Sequence, residues 1–467
     1  MTLHRQSPAP GGRTGLADRV DALTGARLRP AVRWGLGHAL PQTVIRRAGR
    51  QGDLHGRLFE ASSRGELPAL LTSFDELRAA GPLYRGRYAW ATVDHAVVKE
   101  VLTSNDFRAG VDVGGRGGPV SRLHAWGAET APLGPLTPPS LLVTEPPDHT
   151  RYRKLVTRVF TVRAVNELRE RTEQLADELL DALLYDAGDE PVDLVERYCA
   201  LLPVTVIAEI LGVPVEERHQ VLDYGTAAAP SLDLGLPWRE FRAVESALHD
   251  FDAWLDRHIA QVRREPGDNL LSRMVTARGD DGRGLDAAEL KSTAGLVLAA
   301  GFETTVNLLG NGIGLLRGHP DQLALLRERP ELWGNAVDEV LRLDPPVLLT
   351  GRTCVQDTRV AGVPVPRGAV VTTALAGANR DPDVFADPHR FDVARENAAD
   401  HVSFSAGRHY CLGAALARME GEIGLRRLFE RFPHLELAPG ATRRSTRILR
   451  GFERLPALLG LGASATG

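Results

Sequence analysis

The 467-residue chain has only three cysteines, Cys199, Cys354 and Cys411. Three thiols cannot build a disulfide framework, and their scarcity fits a reducing compartment. An iron–sulfur cluster wants several cysteines together. His401 and His409 stand at the wrong spacing to complete a zinc site with Cys411. Long apolar runs are missing too: no stretch reaches the roughly 18 residues that a spanning helix needs. The N-terminal MTLHRQSPAPGGRTG lacks the apolar core of a secretory signal, and its freedom from acid up to Asp18 is its one transit-peptide-like trait. The chain is therefore expected in the cytoplasm. Lysine is nearly absent, with Lys99, Lys154 and Lys291 the three among 56 basic residues. That arginine bias, with abundant Ala, Gly and Pro, looks like the product of a GC-rich bacterial genome. A net charge of -4 gives no global basic field, so nucleic acid is excluded as the main partner.

What is present is ordinary for a globular protein, 43% hydrophobic and 25% charged, enough to bury a core and a cofactor with it. Residues 1–15, rich in Pro and Gly, read as a flexible tail. Residues 27–50 mix apolar positions with Arg29, Arg33, Arg46 and Arg47, punctuated by Pro30 and Pro41. They read as a helix packed on the body with a solvated basic face, in preference to a membrane-surface helix. Residues 1–50 thus read as an N-terminal extension; by length, residues 51–467 could be one large domain or two ordinary ones. RYRKLVTRVFT, AVNELRERTEQLADELLDALL and AVESALHDFDAWLDRHIAQVRR repeat apolar residues at three and four spacing, predicting helices. Short strands are expected in LYRGRYAWATV and in TRVAGVPVPRGAVVTTAL, with turns at Ala361-Gly362 and Arg367-Gly368. The fold class is mainly α with small β-sheets (α+β), without internal repeats. Two Gly/Pro-rich stretches, Gly110 to Ser140 and Ala227 to Trp238, read as lids or as plain connectors.

Within FSAGRHYCLG, Cys411 precedes an alanine-rich helical run, so its sulfur lies near a helix N-terminus that favours thiolate. Gly407 and Gly413 permit close backbone approach by a planar ligand. From this stretch alone three readings stand: a nucleophile served by His409, a haem ligand, or an inert buried cysteine. Elsewhere, LVLAAGFETTVNLLG places Gly301, Glu303, Thr304 and Thr305 inside an apolar helix, where an acid and hydroxyls are costly unless they serve something. Glu339 and Arg342 share a helix face, DPHRF supplies Arg390, His149 and Arg153 share another face, and GRTC adds Arg352.

Together these motifs resemble the cytochrome P-450 family. F-x-x-G-x-x-x-C-x-G is present as Phe404, Gly407, Cys411 and Gly413; A-G-x-E-T-T is Ala300 to Thr305; E-x-x-R is Glu339 to Arg342; and DPHRF carries the later arginine, Arg390. All stand in the family's order, over about Asp53 to the C-terminus, and PPDHTRYRKLV and GRHYCLG look most like soluble actinobacterial members. Ser405 departs from the glycine that many members carry.

The resemblance implies that residues 51–467 are a single catalytic domain. It implies a haem b (iron protoporphyrin IX) between a long central helix and the cysteine loop-helix, with Cys411 as the axial thiolate ligand to iron. It implies that His149, Arg153, Arg352 and His409 bind the haem propionates. Gly301 would let the central helix bulge and make room for dioxygen. Thr304 would orient a water and Glu303 relay protons from solvent. Glu339, Arg342 and Arg390 would form a buried charge network. Leu123, Trp126, Ala299, Val347 and Leu348 would line an apolar pocket for a small-molecule substrate. Two external electrons would come from a ferredoxin with its reductase, docking near Arg408, and the protein would act as a monomer. A peroxide-driven relative or a haem-binding sensor are the alternatives, against which the Glu303-Thr304 pair weighs.

Overall fold

The structure is a computed structural model that describes residues 28–111, 118–157, 162–186, 190–279 and 282–460. The expected tail at residues 1–15 and part of the first Gly/Pro-rich stretch lie outside them. Helices dominate, as the apolar spacing predicts: Val162–Asp186, Trp238–Arg264, the central helix Ala287–Gly318 and the cysteine helix Ala414–Arg431 are the longest. The central helix starts at Asp286, whose side chain accepts from the Glu289 N–H while the Glu289 side chain caps the Asp286 N–H, a capping box. Its apolar face runs through the main core with Leu298, Phe302, Val306 and Leu309. The cysteine helix packs closely on it because glycines stand at the contact. A Cβ on Gly312 would come within 2.7 Å of Leu425, and one on Gly424 within 2.7 Å of Leu309.

The larger sheet has five strands, ordered Tyr84–Arg85, Trp90–Thr92, Val370–Ala374, Leu349–Cys354 and Phe107–Ala109. Trp90–Thr92 runs parallel to Val370–Ala374; the other pairings are antiparallel. The turn at Ala361-Gly362 has both residues at positive φ, 49° and 76°, as a tight reversal between Thr358–Val360 and Val363–Val365 demands. Both long loops are partly ordered by local structure: Pro119–Ala128 is helical, and a short 3-10 turn spans Ala229–Leu232. Residues 28–50 are helical throughout, with a π-helical stretch at Gly35–Ala39. Among the described residues no helix is long and apolar enough to cross a membrane.

Candidate functional site

Burial separates the three cysteines. Cys199 and Cys354 are closed in the core, where burial pushes both thiols up. Cys411 lies deep in the fold, and burial raises its thiol as well, but the Gly413 N–H, Arg153 and Arg418 all pull it back. The residue is nevertheless exposed; a side chain both deep and accessible lines a cleft. Its loop is folded back on itself: the Cys411 N–H donates to Phe404 O at 2.9 Å and the Tyr410 N–H to Gly407 O at 3.1 Å. Gly407 has φ +68°, and a Cβ there would come within 2.9 Å of Leu102 O, so glycine is required. Phe404 is pinned over the Arg418 guanidinium at 4.7 Å, and Arg418 donates to Asp338 at 2.7 Å.

Beside the thiol the fold gathers the four residues expected to bind propionates, two arginines and two histidines. His149 is buried on the helix Asp148–Thr157, with its ring 4.5 Å from that of His409. That helix is held to the start of the central helix by Glu289, which accepts from Arg151 and from the Tyr152 hydroxyl at 2.9 Å. Among the described residues His149 Nε2 is buried with no hydrogen-bond partner, and burial, His409 and Arg153 push its ring down to about 4. No hydrogen bond or ion pair reaches half-buried Arg153 among the described residues; burial lowers its guanidinium and Cys411 raises it. Arg352, on Leu349–Cys354, is pushed down to about 10, by burial first. Among the described residues the cluster holds one carboxylate, Glu145, which sequence reasoning missed. Burial would raise Glu145, but His409 Nε2 at 3.2 Å, the Ala109 N–H at 2.6 Å and Arg408 hold it below its ordinary value. Cations in excess of carboxylates, with an orphaned imidazole nitrogen among them, are a donor set that fits a ligand bearing two carboxylates, as haem does.

Several expectations need correction. Arg408, expected at a docking surface, is consumed internally by Glu145 at 3.0 Å, Ser104 O and Asn105. The central helix does not bulge at Gly301; a Cβ there would lie 2.9 Å from Ile207, so glycine serves close packing. Leu348 belongs to the core with Leu58, Leu70 and Phe74, and Val347 bridges to Leu449. Arg390 is exposed and contributes its carbonyl to the charge network, while Arg395 supplies the side chain. Leu123 is exposed, and Trp126 is half-buried.

Glu303 and Thr304, neighbours in sequence, are committed differently. The half-buried Thr304 hydroxyl donates to Ala300 O at 3.0 Å. The Glu303 carboxylate is buried, with Arg444 Nη1 2.7 Å away in an ion pair that lacks hydrogen-bond alignment. Burial raises its pKa and Arg444 opposes this. Arg444 sits in the hairpin of Thr442–Arg443 with Phe452–Arg454, where no sequence pattern ties it to Glu303. Fully buried Glu420 of the cysteine helix, raised well above a normal carboxylate by burial, stands against Thr305 and was likewise missed.

Ser405 occupies a left-handed conformation, φ 62°, with its Oγ 3.4 Å from Arg352 Nη2. A side chain there costs on the order of 1 kcal/mol. Ser405→Gly is expected to raise the urea midpoint by the equivalent of about 1 kcal/mol. A lower midpoint would mean that the Arg352 contact outweighs the strain.

The sequence profile of the cytochrome P-450 family matches residues 138–452. The chain is 49% identical to cytochrome P-450 140 of Mycobacterium tuberculosis over 93% of this chain and 98% of that protein. It is 43% identical to the 6-deoxyerythronolide B hydroxylase of Saccharopolyspora erythraea over 68% of this chain and 77% of that protein. With the vitamin D(3) 25-hydroxylase of Pseudonocardia autotrophica it shares 43% identity, over 70% and 79%. Among solved structures it resembles a mutant EryK in complex with erythromycin B, with a TM-score of 0.73 at 33% identity, over 86% and 98% of the two chains. Ordered motifs, fold and relatives agree: this chain belongs to the cytochrome P-450 family and is a monooxygenase of that family, whose members use haem iron and dioxygen.

Proposed function

We propose that residues 51–467 would hold haem b by the Cys411 thiolate, and oxidise an apolar small molecule by hydroxylation or epoxidation with two electrons from a ferredoxin. The observation that supports this most is the gathering of His149, Arg153, Arg352 and His409 beside the accessible thiol, with His149 Nε2 unpaired. These groups would hold the propionates by charge-assisted hydrogen bonds. When bound, the haem supplies the iron at which dioxygen is reduced and one oxygen atom is inserted. The chain's part is to fix the sulfur, keep water out and deliver protons. The Gly413 N–H stabilises charge on Cys411 Sγ. Thr304 Oγ1, accessible at the cleft, would release Ala300 O to hold a water, and Glu303 would pass it protons drawn in past Arg444. Names of relatives give vitamin D(3) and 6-deoxyerythronolide B as substrates, so the substrate proposed is a large apolar molecule.

Two measurements test this reading. The first is NADPH consumption and product formation with a surrogate ferredoxin and reductase, set against hydrogen peroxide alone, over a panel of such molecules. Product with peroxide but not with the electron donors would favour the peroxide-driven alternative; no product with either would favour a sensor. The second is Glu303→Gln, expected to cut turnover about a hundredfold with binding retained, whereas Thr304→Ala is expected to divert electrons from product. Full coupling in Thr304→Ala would remove that residue from the proton route.

A further inference from the structure

Residues 28–50 are fixed to the body at one end and hold two other segments at the other. The fixed end is a close crossing of Gly49 and Gly56, where a Cβ on Gly56 would come within 2.5 Å of Gly49 N and 2.7 Å of Ile45 O. From there the helical segment reaches back over both Gly/Pro-rich stretches. On the first, Arg29 pairs with Glu129 at 2.7 Å and lies over the Trp126 ring at 5.2 Å, while Val32 packs on Gly127. On the second, Trp34 Nε1 donates to Leu236 O at 2.9 Å, and its ring meets Trp238 edge-on at 5.5 Å. The Leu236 N–H donates to His38 Nδ1 at 3.2 Å, and the His38 ring sits 5.1 Å from Phe241.

One side chain joins the two. Arg33 donates from Nη1 to Gly127 O, the end of the helix Pro119–Ala128. It also donates from Nε to Glu245 Oε1 at 2.7 Å, on the helix Trp238–Arg264. The side chains of Arg33 and Glu245 are 12% and 7% exposed, so this is a largely desolvated pair, unlike the exposed pairs that contribute little. Moving either segment away breaks bonds to the same guanidinium.

We propose that residues 28–50 are a strap that latches the two segments together, with Arg33 as the latch, and that it sets the rate at which ligands enter and leave the site. That residues 119–130 and 229–240 act as lids over the site is the lid reading of the two Gly/Pro-rich stretches, and it rests on the function proposed above; the latch rests on these contacts alone. A ligand that enters through an opened strap and is then enclosed by the re-formed strap gains nothing from the latch at equilibrium. Weakening it therefore speeds entry and exit alike and leaves the affinity in place.

The test uses the full-length holoprotein and 4-phenylimidazole, whose ring nitrogen reports on the haem by a Soret shift in stopped flow. Arg33→Ala is expected to raise both association and dissociation rates about tenfold, with the ratio changed less than about twofold. Trp34→Ala should act in the same direction. Arg33→Lys, which keeps a charge for Glu245 but not the fork, should fall between. Amide exchange in Arg33→Ala should quicken in residues 119–130 and 229–240 together and stay unchanged in the core of the central helix. Unchanged exchange in either segment overturns the latch. Faster exchange in both with unaltered ligand rates overturns the gating role. A wild-type protein with no Soret response would sink the proposed function instead, and the exchange pattern would still decide whether Arg33 latches the two segments.

Discussion

Cys411→Ala is expected to abolish the strongly red-shifted Soret band of the dithionite-reduced, carbon monoxide-treated protein, and with it all turnover. The shift depends on thiolate donation to the iron, which no other residue of this loop can supply. His409, two residues away, is already engaged with Glu145 and lies against the His149 ring at a tilt of 52°, so it is not free to replace the sulfur. Cys199 and Cys354 serve as controls, because both are sealed in the core with raised thiols; their serine variants should keep the band. A wild-type band typical of histidine ligation, or a band that survives in Cys411→Ala, would return Cys411 to the ordinary cysteines. Loss of the band with retained haem would separate ligation from binding, since Arg153, Arg352 and the two histidines beside them would still hold the propionates.

The local parts of this architecture were legible because local chemistry decides them. Gly407 and the Ala361-Gly362 turn need positive φ, and glycine at those places announces it. Helices such as Val162–Asp186 and Trp238–Arg264 carry their apolar spacing for many turns. Strands of two or three residues, such as Val192–Asp193 and Glu436–Leu437, are too short to show a period, and they went unseen. In the site, sequence motifs name His149, Arg153, Arg352 and His409, which the fold brings into one cluster, but not the residues that pair with them. Glu145 reaches His409 across 264 positions, and Arg444 lies far along the chain from Glu303. Nothing near Arg444 in sequence distinguishes it from the other arginines of a lysine-poor chain. The same holds for Arg33, whose two partners are set only when three separate segments meet.

The second large effect is on stability and turns on which arginine completes the network at Glu339. Arg342 is fully buried and grips Glu339 with both Nε and Nη2, at 2.6 and 2.8 Å. Its remaining donors are taken by the carbonyls of Asn379, Pro388 and Arg390, and Arg395 adds a third contact to Glu339 at 3.2 Å. Glu339→Ala leaves two buried guanidinium groups without their carboxylate, a loss of about 3–5 kcal/mol out of the 5–15 that folded proteins hold. It should appear as a sharply lower urea midpoint and a poor yield of folded protein. Arg390→Ala is expected to shift stability by less than about 0.5 kcal/mol, because its side chain is exposed and the carbonyl that Arg342 uses remains. Arg395→Ala should fall between, since Arg342 still neutralises Glu339. If Arg390→Ala instead proved as damaging as Glu339→Ala, the assignment of Arg395 as the third charge would be wrong. Equal, small losses in all three variants would mean that the segment from Asn379 to Arg395 is held by its backbone contacts and apolar packing, with the ions contributing only geometry.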